Sequence, residues 1–214
     1  MQHTNVSKKY LVVNEVFNAI THGIGTGLSI AGLVLLIIKG ASMGSPIRVV
    51  SYSIFGASMI LLFLFSTLFH SLIFTKARKV FQVFDHSSIY LLIAGSYTPF
   101  CLVVIGGWRG WALFSVIWLL AIGGIVYKSI WLSKRGKTDV ILYIIMGWLC
   151  LLAIKPLYQG LGFNGFLLLF LGGVSYTVGA FFYNLKNVKF MHVVWHLFVM
   201  LGAIFIFFSV YLYT

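Results

Sequence analysis

Seven long apolar runs follow one another along the chain, separated by short polar stretches. They cover approximately Val16–Ile38, Ile47–Phe74, Val80–Ile105, Trp111–Trp131, Val140–Ile154, Phe163–Tyr183 and Val188–Tyr213. Most reach the roughly 20 residues needed to cross a hydrocarbon layer about 30 Å thick. The runs are continuous rather than alternating, which excludes a transmembrane β-barrel and predicts helices. The fifth run is short and stops at Lys155-Pro156. The expected fold is an all-α integral membrane protein of seven transmembrane helices. It forms a single domain over 1–214, with 1–14 as a short cytoplasmic tail. The first run is too long, and polar at its start, for a signal peptide, so it is read as a retained span. Glycines punctuate the runs, as at Gly23, Gly25 and Gly27 or Gly172, Gly173 and Gly179, and read as close helix packing. Pro99 in the third run predicts a kink.

Composition agrees with the runs. Of 214 residues, 61% are hydrophobic and 8% charged, and the mean hydropathy is +1.04. A soluble core of this size cannot bury so much apolar surface, so lipid is the solvent for much of it. The net charge of +12 comes from cations placed in ones, twos and threes between the runs. That pattern suits anionic lipid headgroups, not a nucleic-acid face. Lys8, Lys9, Lys76, Arg78, Lys79, Lys128, Lys134, Arg135, Lys137, Lys186 and Lys189 fall on the N-terminal side of the bilayer, against Lys39, Arg48, Arg109 and Lys155 on the other. The positive-inside rule then puts the N-terminus in the cytoplasm and the C-terminus outside, the reverse of a G-protein-coupled receptor. Cys101 and Cys150 stand in different runs without a metal-binding spacing and read as small packing residues.

Only three acids occur in the chain, Glu15, Asp85 and Asp139, and two of them lie in or beside spans, where a carboxylate needs a reason. The histidines supply one. His192 and His196 are four residues apart, so on a helix they share a face and reach one metal ion. On the topology above, His192 lies about one turn inside the cytoplasmic edge of the last span, with His196 one turn deeper. His70 ends the second span, with Ser66 one turn deeper on its face, and Asp85 begins the third. Glu15, Asn18 and His22 recur at helical spacing in the first. All of these fall in the cytoplasmic leaflet at similar depth, although the orientation came from Lys and Arg alone.

Three imidazoles, His70, His192 and His196, would hold one Zn²⁺ and leave a fourth position for water, as in catalytic zinc sites. Magnesium and calcium prefer oxygen donors. The His192–His196 segment lacks the glutamate of HExxH, so a base must come from another helix. Asp85 is the candidate, either as a fourth ligand or as a hydrogen-bond partner of the water. Ser66 is placed to orient that water or a substrate oxygen. His86 is adjacent to Asp85 and about 100° away on a helix, so the two are not expected to face one centre. Glu15, Asn18 and His22 read as a supporting hydrogen-bond set around the ligands; His22 and His86 serve equally well as helix-packing hydrogen bonders.

These blocks resemble the hemolysin III family, within the wider progestin and adiponectin receptor superfamily, which also resembles alkaline ceramidases. The resemblance is carried by Glu15-x-x-Asn18-x-x-x-His22 running into Gly23, by Ser66-Thr67-Leu68-Phe69-His70, by Asp85-His86-Ser87-Ser88 continuing to Ala94-Gly95-Ser96-Tyr97-Thr98-Pro99-Phe100, and by His192-x-x-x-His196. It extends from about Asn14 to the C-terminus with no departure at the polar positions. It implies seven spans in a bacterial plasma membrane and a zinc ion on His70, His192 and His196. It also implies that Asp85 contacts the metal through water and that Ser66 lies beside it. In the receptor branch such a site is associated with ceramide hydrolysis, and the bacterial branch with haemolysis and membrane lipid homeostasis. Three functions follow as expectations: a zinc-dependent lipid amidohydrolase of ceramidase type, a cytolysin, and a sensor of membrane state with structural zinc. Membrane lipids are the expected partners, and no protein partner is indicated.

Overall fold

The computed structural model describes residues 7–130, 137–185 and 187–214, and among them every regular element is helical. The elements are α1 (Lys8–Ser42), α2 (Pro46–Ser71), α3 (Arg78–Pro99), α4 (Gly107–Ile130), α5 (Lys137–Trp148), α6 (Ile154–Asn184) and α7 (Met191–Tyr213). Among the described residues, six helical runs are long and apolar enough to cross a membrane, the fifth being the combined stretch Asp139–Asn184 of 46 residues. Trp131, Lys134, Arg135 and Lys186, used above to set the fourth span and the charge bias, lie outside the described residues.

The first helix shows what solvent the fold is built for. Its buried positions are Glu15, Asn18, His22, Gly25, Ser29, Gly32, Leu36 and Gly40, spaced by three or four and mostly polar or small. Its exposed positions include Val16, Ile20, Ile24 and Leu28, each about half open. A helix that turns its polar face inward and its apolar face outward is stable only where the surroundings are hydrocarbon. Packing at the small positions is close: a Cβ on Gly25 would fall 2.8 Å from Phe63, and one on Gly179 2.8 Å from Phe198, while Gly27 faces open space.

α1 packs on α2, α2 on α3, α3 on α4, and α6 on α7, and α7 returns to α1. α5 lies between α3 and α6. The ring of α1, α2, α3, α5, α6 and α7 encloses a cavity of about 530 Å³. α4 packs against this ring with apolar contacts directed to α3 and α5, and adds Leu113 to the cavity lining.

Three departures from the regular pattern shape this ring. Pro99 does not merely bend the third helix. The chain continues beyond it as a π-helical turn, Phe100–Ile105, ended by Gly106 at φ 61°; Pro99 has no N–H to donate back to the Gly95 carbonyl, which breaks the regular α-helical ladder at this point. The fifth run does not stop at Lys155-Pro156. α5 tightens into a 3₁₀ turn over Leu149–Ala153 and α6 begins directly at Ile154, since proline is well tolerated in a first helical turn. The direction changes later, at Gly162, whose φ of 65° no other residue adopts without strain. Tyr97 from α3 stabilises the irregular turn: its hydroxyl lies 2.9 Å from the Met146 carbonyl and 2.7 Å from that of Gly147, and accepts from the Cys150 amide at 2.7 Å.

Lys128, read above as a loop cation, is fully buried on α4 and paired with Asp139 of α5. The chain folds so because neither charge can be left alone in a low-dielectric interior. Asp139→Asn, which strands the lysine, is expected to destabilise the protein by about 3–5 kcal/mol, whereas the double change Lys128→Met with Asp139→Leu restores most of the loss. Thermal unfolding in detergent distinguishes the two, and equal melting of both variants would refute the account.

Candidate metal centre

His70 ends α2 and His192 and His196 open α7, and one ring nitrogen from each lies within 4.8 Å of the other two. Ring centroids are 4.9 Å apart for His70 and His196, 4.7 Å for His192 and His196, and 5.1 Å for His70 and His192. His70 and His196 are buried, and His192 is partly open. The three are close enough to hold one metal ion, as the sequence predicted.

The hydrogen bonds around them decide which nitrogens face the centre. His70 Nδ1 donates to Glu15 Oε2 at 2.5 Å, so its Nε2 carries the lone pair, and that buried Nε2 has no hydrogen-bond partner. His196 Nδ1 lies 3.3 Å from the Asn18 carbonyl. A carbonyl can only accept, so here too Nε2 holds the lone pair. A carboxylate or carbonyl behind a histidine is the arrangement that sets tautomer and ring direction in metal sites. A desolvated imidazole lone pair without a donor is costly, and a cation at the centre removes that cost. The donor set therefore fits a metal, and three imidazoles suit first-row transition ions.

α1 supplies the backing. His22 lies flat on His196, centroids 3.6 Å apart and planes 9° apart, with Phe63 edge-on to its other side. Both His22 ring nitrogens and both Asn18 side-chain polar atoms are buried without partners. His22 is thus one layer removed from the histidine group, and it is not one of its members. Ser66, buried one turn before His70, borders the same cavity, as do Asp85 and His86. Asp85 is not within the mutual reach of the three histidines. Its Oδ2 lies 3.5 Å from His86 Nδ1, which sits closer to the Gln82 carbonyl, at 2.7 Å.

Several residues around the site were not singled out from sequence. All three acids, Asp139 included, border the cavity. Tyr10 accepts a hydrogen bond from the Phe190 amide at 2.9 Å and meets its ring edge-on at 5.1 Å. Phe190 has φ 62°, a left-handed conformation that a bulky residue adopts only when held. It immediately precedes α7, so the Tyr10 contact sets where that helix starts and which way its histidines point. The Tyr183 ring lies tilted beside that of His192, centroids 5.6 Å apart. A tyrosine ahead of the first span reads by default as an interfacial residue, and no spacing rule separates it from that role.

A family model described as Haemolysin-III related matches residues 10–207. The chain belongs to that family. It is 50% identical over 203 residues to Hemolysin-3 of Bacillus cereus, covering 95% of this chain and 93% of that one. It is 48% identical to the Hemolysin-3 homolog of Bacillus subtilis, with 95% and 96% covered. Monocyte to macrophage differentiation factor of Homo sapiens is 28% identical over 75% of this chain and 68% of its own, which extends the likeness to the wider superfamily that the motifs suggested. No solved structure matches. Within this Haemolysin-III related protein, Glu15→Gln is expected to weaken metal binding roughly 10- to 100-fold through loss of the carboxylate charge behind His70. His70→Ala should abolish tight binding. Titration of the purified protein with metal against a competing chelator reads both, and an unchanged Glu15→Gln affinity would remove Glu15 from the site.

Proposed function

We propose that the protein is a zinc-dependent hydrolase acting on an amide or ester of a membrane lipid. The observation that carries this reading is the continuity of one cavity. At one end it touches the three histidines, and at the other it is lined by apolar side chains such as Leu92, Ile105, Leu157, Phe166 and Ile206. Its volume falls within the range of small-molecule sites, about 300–1,000 Å³. A polar centre joined to an apolar channel matches a molecule with a reactive carbonyl and an acyl chain.

Zinc at such a centre supplies Lewis acidity toward a carbonyl and brings the pKa of water to about 7. The remaining work falls to the chain. His70, His192 and His196 hold the ion through the lone pairs described above, and Glu15 keeps His70 in the required tautomer. Asp85, bordering the cavity outside ligand distance, takes the proton of the attacking water and delivers it to the leaving group. Ser66 Oγ orients the substrate oxygen. The apolar walls hold the chain and exclude bulk water, which strengthens each of these polar interactions.

The proposed membrane arrangement has seven spans. A 46-residue run would extend roughly 70 Å at 1.5 Å per residue, too long for one crossing, and the change of direction at Gly162 supports two. With the N-terminus in the cytoplasm, as the distribution of cations supports, the histidines lie toward the cytoplasmic leaflet of a bacterial plasma membrane. Cytolysis is the second reading, favoured by the name Hemolysin-3 of the Bacillus cereus relative. In that case the metal holds the bundle together and chemistry is absent.

Asp85→Asn separates the two. It is expected to keep stoichiometric zinc while lowering release of fatty acid from a membrane-lipid extract by about 10²- to 10⁴-fold, the usual contribution of a general base. His70→Ala loses both zinc and turnover. No turnover by the zinc-loaded wild type, together with dye release from liposomes, would instead establish the cytolytic reading.

A further inference from the structure

Arg78 stands apart from the other cations near the centre. It opens α3 and borders the cavity that holds the histidines. Its guanidinium lies 5.3 Å over the ring of Phe69, and that ring is 4.8 Å from the ring of His70. Arg78 Nε is buried and has no hydrogen-bond partner. Nor does the chain hold a carboxylate for it. Its three acids are Glu15, Asp85 and Asp139, and these lie against His70, His86 and Lys128 respectively. Arg78 is partly exposed, but a guanidinium N–H buried without an acceptor is unfavourable, and a partner from outside the protein would satisfy it.

A second hollow shows from which direction. It is lined by Lys76, Arg78 and Lys79 together with Ile73 and Phe74, and Phe74 is 69% exposed. Apolar side chains beside lysines mark the level where hydrocarbon gives way to headgroups. The bias of cations toward one side of the membrane explains Lys76 and Lys79, which are exposed. It does not explain a guanidinium nitrogen buried against the inner cavity. Arg78 alone borders both spaces.

We propose that Arg78, with Lys76 and Lys79 at the rim, is a binding subsite for the phosphate of a lipid headgroup. The lipid enters from the headgroup layer, its phosphate stops at Arg78, and its acyl portion continues past Phe69 toward the histidines. Arginine suits this role because its planar donors match phosphate oxygens. The inference rests on reading the cavity as a lipid site and is independent of whether hydrolysis follows.

The test measures binding alone. The full chain, purified in an uncharged detergent, is titrated with phosphatidylglycerol and, separately, with diacylglycerol of the same acyl chains, and retained lipid is counted by mass spectrometry. Wild type should prefer phosphatidylglycerol. Arg78→Gln should weaken that lipid by roughly 10- to 100-fold, the usual range for a lost charge-assisted contact. It should leave diacylglycerol and metal content unchanged, with Arg78→Lys intermediate. The exposed pair Lys76→Gln with Lys79→Gln should cost several-fold without risk to folding, and Lys155→Gln should do nothing. Equal retention of the two lipids by wild type, or an undiminished preference in Arg78→Gln, would overturn the subsite. So would a Lys155→Gln effect as large as that of Arg78→Gln. Displacement of the lipid by millimolar inorganic phosphate would assign the subsite to free phosphate and overturn the headgroup assignment. Loss of turnover with lipid preference intact would count against the hydrolase and not against this site.

Discussion

The contact between Glu15 and His70 is the interaction on which the rest of the centre depends. It joins the first helix to the second inside a membrane bundle, where water is absent and an unpaired carboxylate is costly. Because the glutamate accepts from Nδ1, the opposite nitrogen is left bare in a ring that lies about 5 Å from those of His192 and His196. α1 is therefore more than packing. It brings the carboxylate, the Asn18 carbonyl that orients His196, and the His22 ring that lies against it. The polar face of a helix whose other face meets lipid has become the backing plate of a metal site.

Much of this was legible because membrane chemistry is restrictive. Ionisable residues are scarce in such a chain, so each one at helical spacing and common depth carries weight. The histidine cluster and the inward face of α1 followed from that scarcity and from the period of the helix. Elements bounded by a single proline or lysine were not legible in the same way. Lys155-Pro156 reads as a stop, yet a proline in a first turn is compatible with a helix, and α6 starts there. Lys128 reads as one more loop cation because position along the chain does not reveal that Asp139 has folded back to meet it. Tyr10 and Arg78 were hidden for a different reason. Their default roles, interfacial aromatic and cytoplasmic anchor, are the commonest ones for their types, and only contacts across helices set them apart.

The irregular backbone is concentrated where the ring around the cavity must bend. The π-helical turn after Pro99, the 3₁₀ turn held by Tyr97 and the kink at Gly162 all occur on or beside α3, α5 and α6. α1, α2 and α7, which carry the histidines and their hydrogen-bond partners, are continuous. Rigid helices hold the polar centre, and broken ones make room for the apolar channel. Non-helical backbone at membrane depth is tolerable only where protein or a cavity satisfies it, as Tyr97 does for the carbonyls of Met146 and Gly147.

The order of the ligands along the chain has a consequence for biogenesis. His70 and its glutamate are synthesised early, whereas His192 and His196 arrive with the last helix and are set by Phe190 against Tyr10, near the very start. During insertion, the bare nitrogen of His70 waits in the bilayer with no companion until α7 docks on α1. Any metal held by the three histidines would then be taken up last, once α7 has brought His192 and His196 to His70. A bundle lacking α7 would offer one of the three imidazoles, too few to hold an ion tightly.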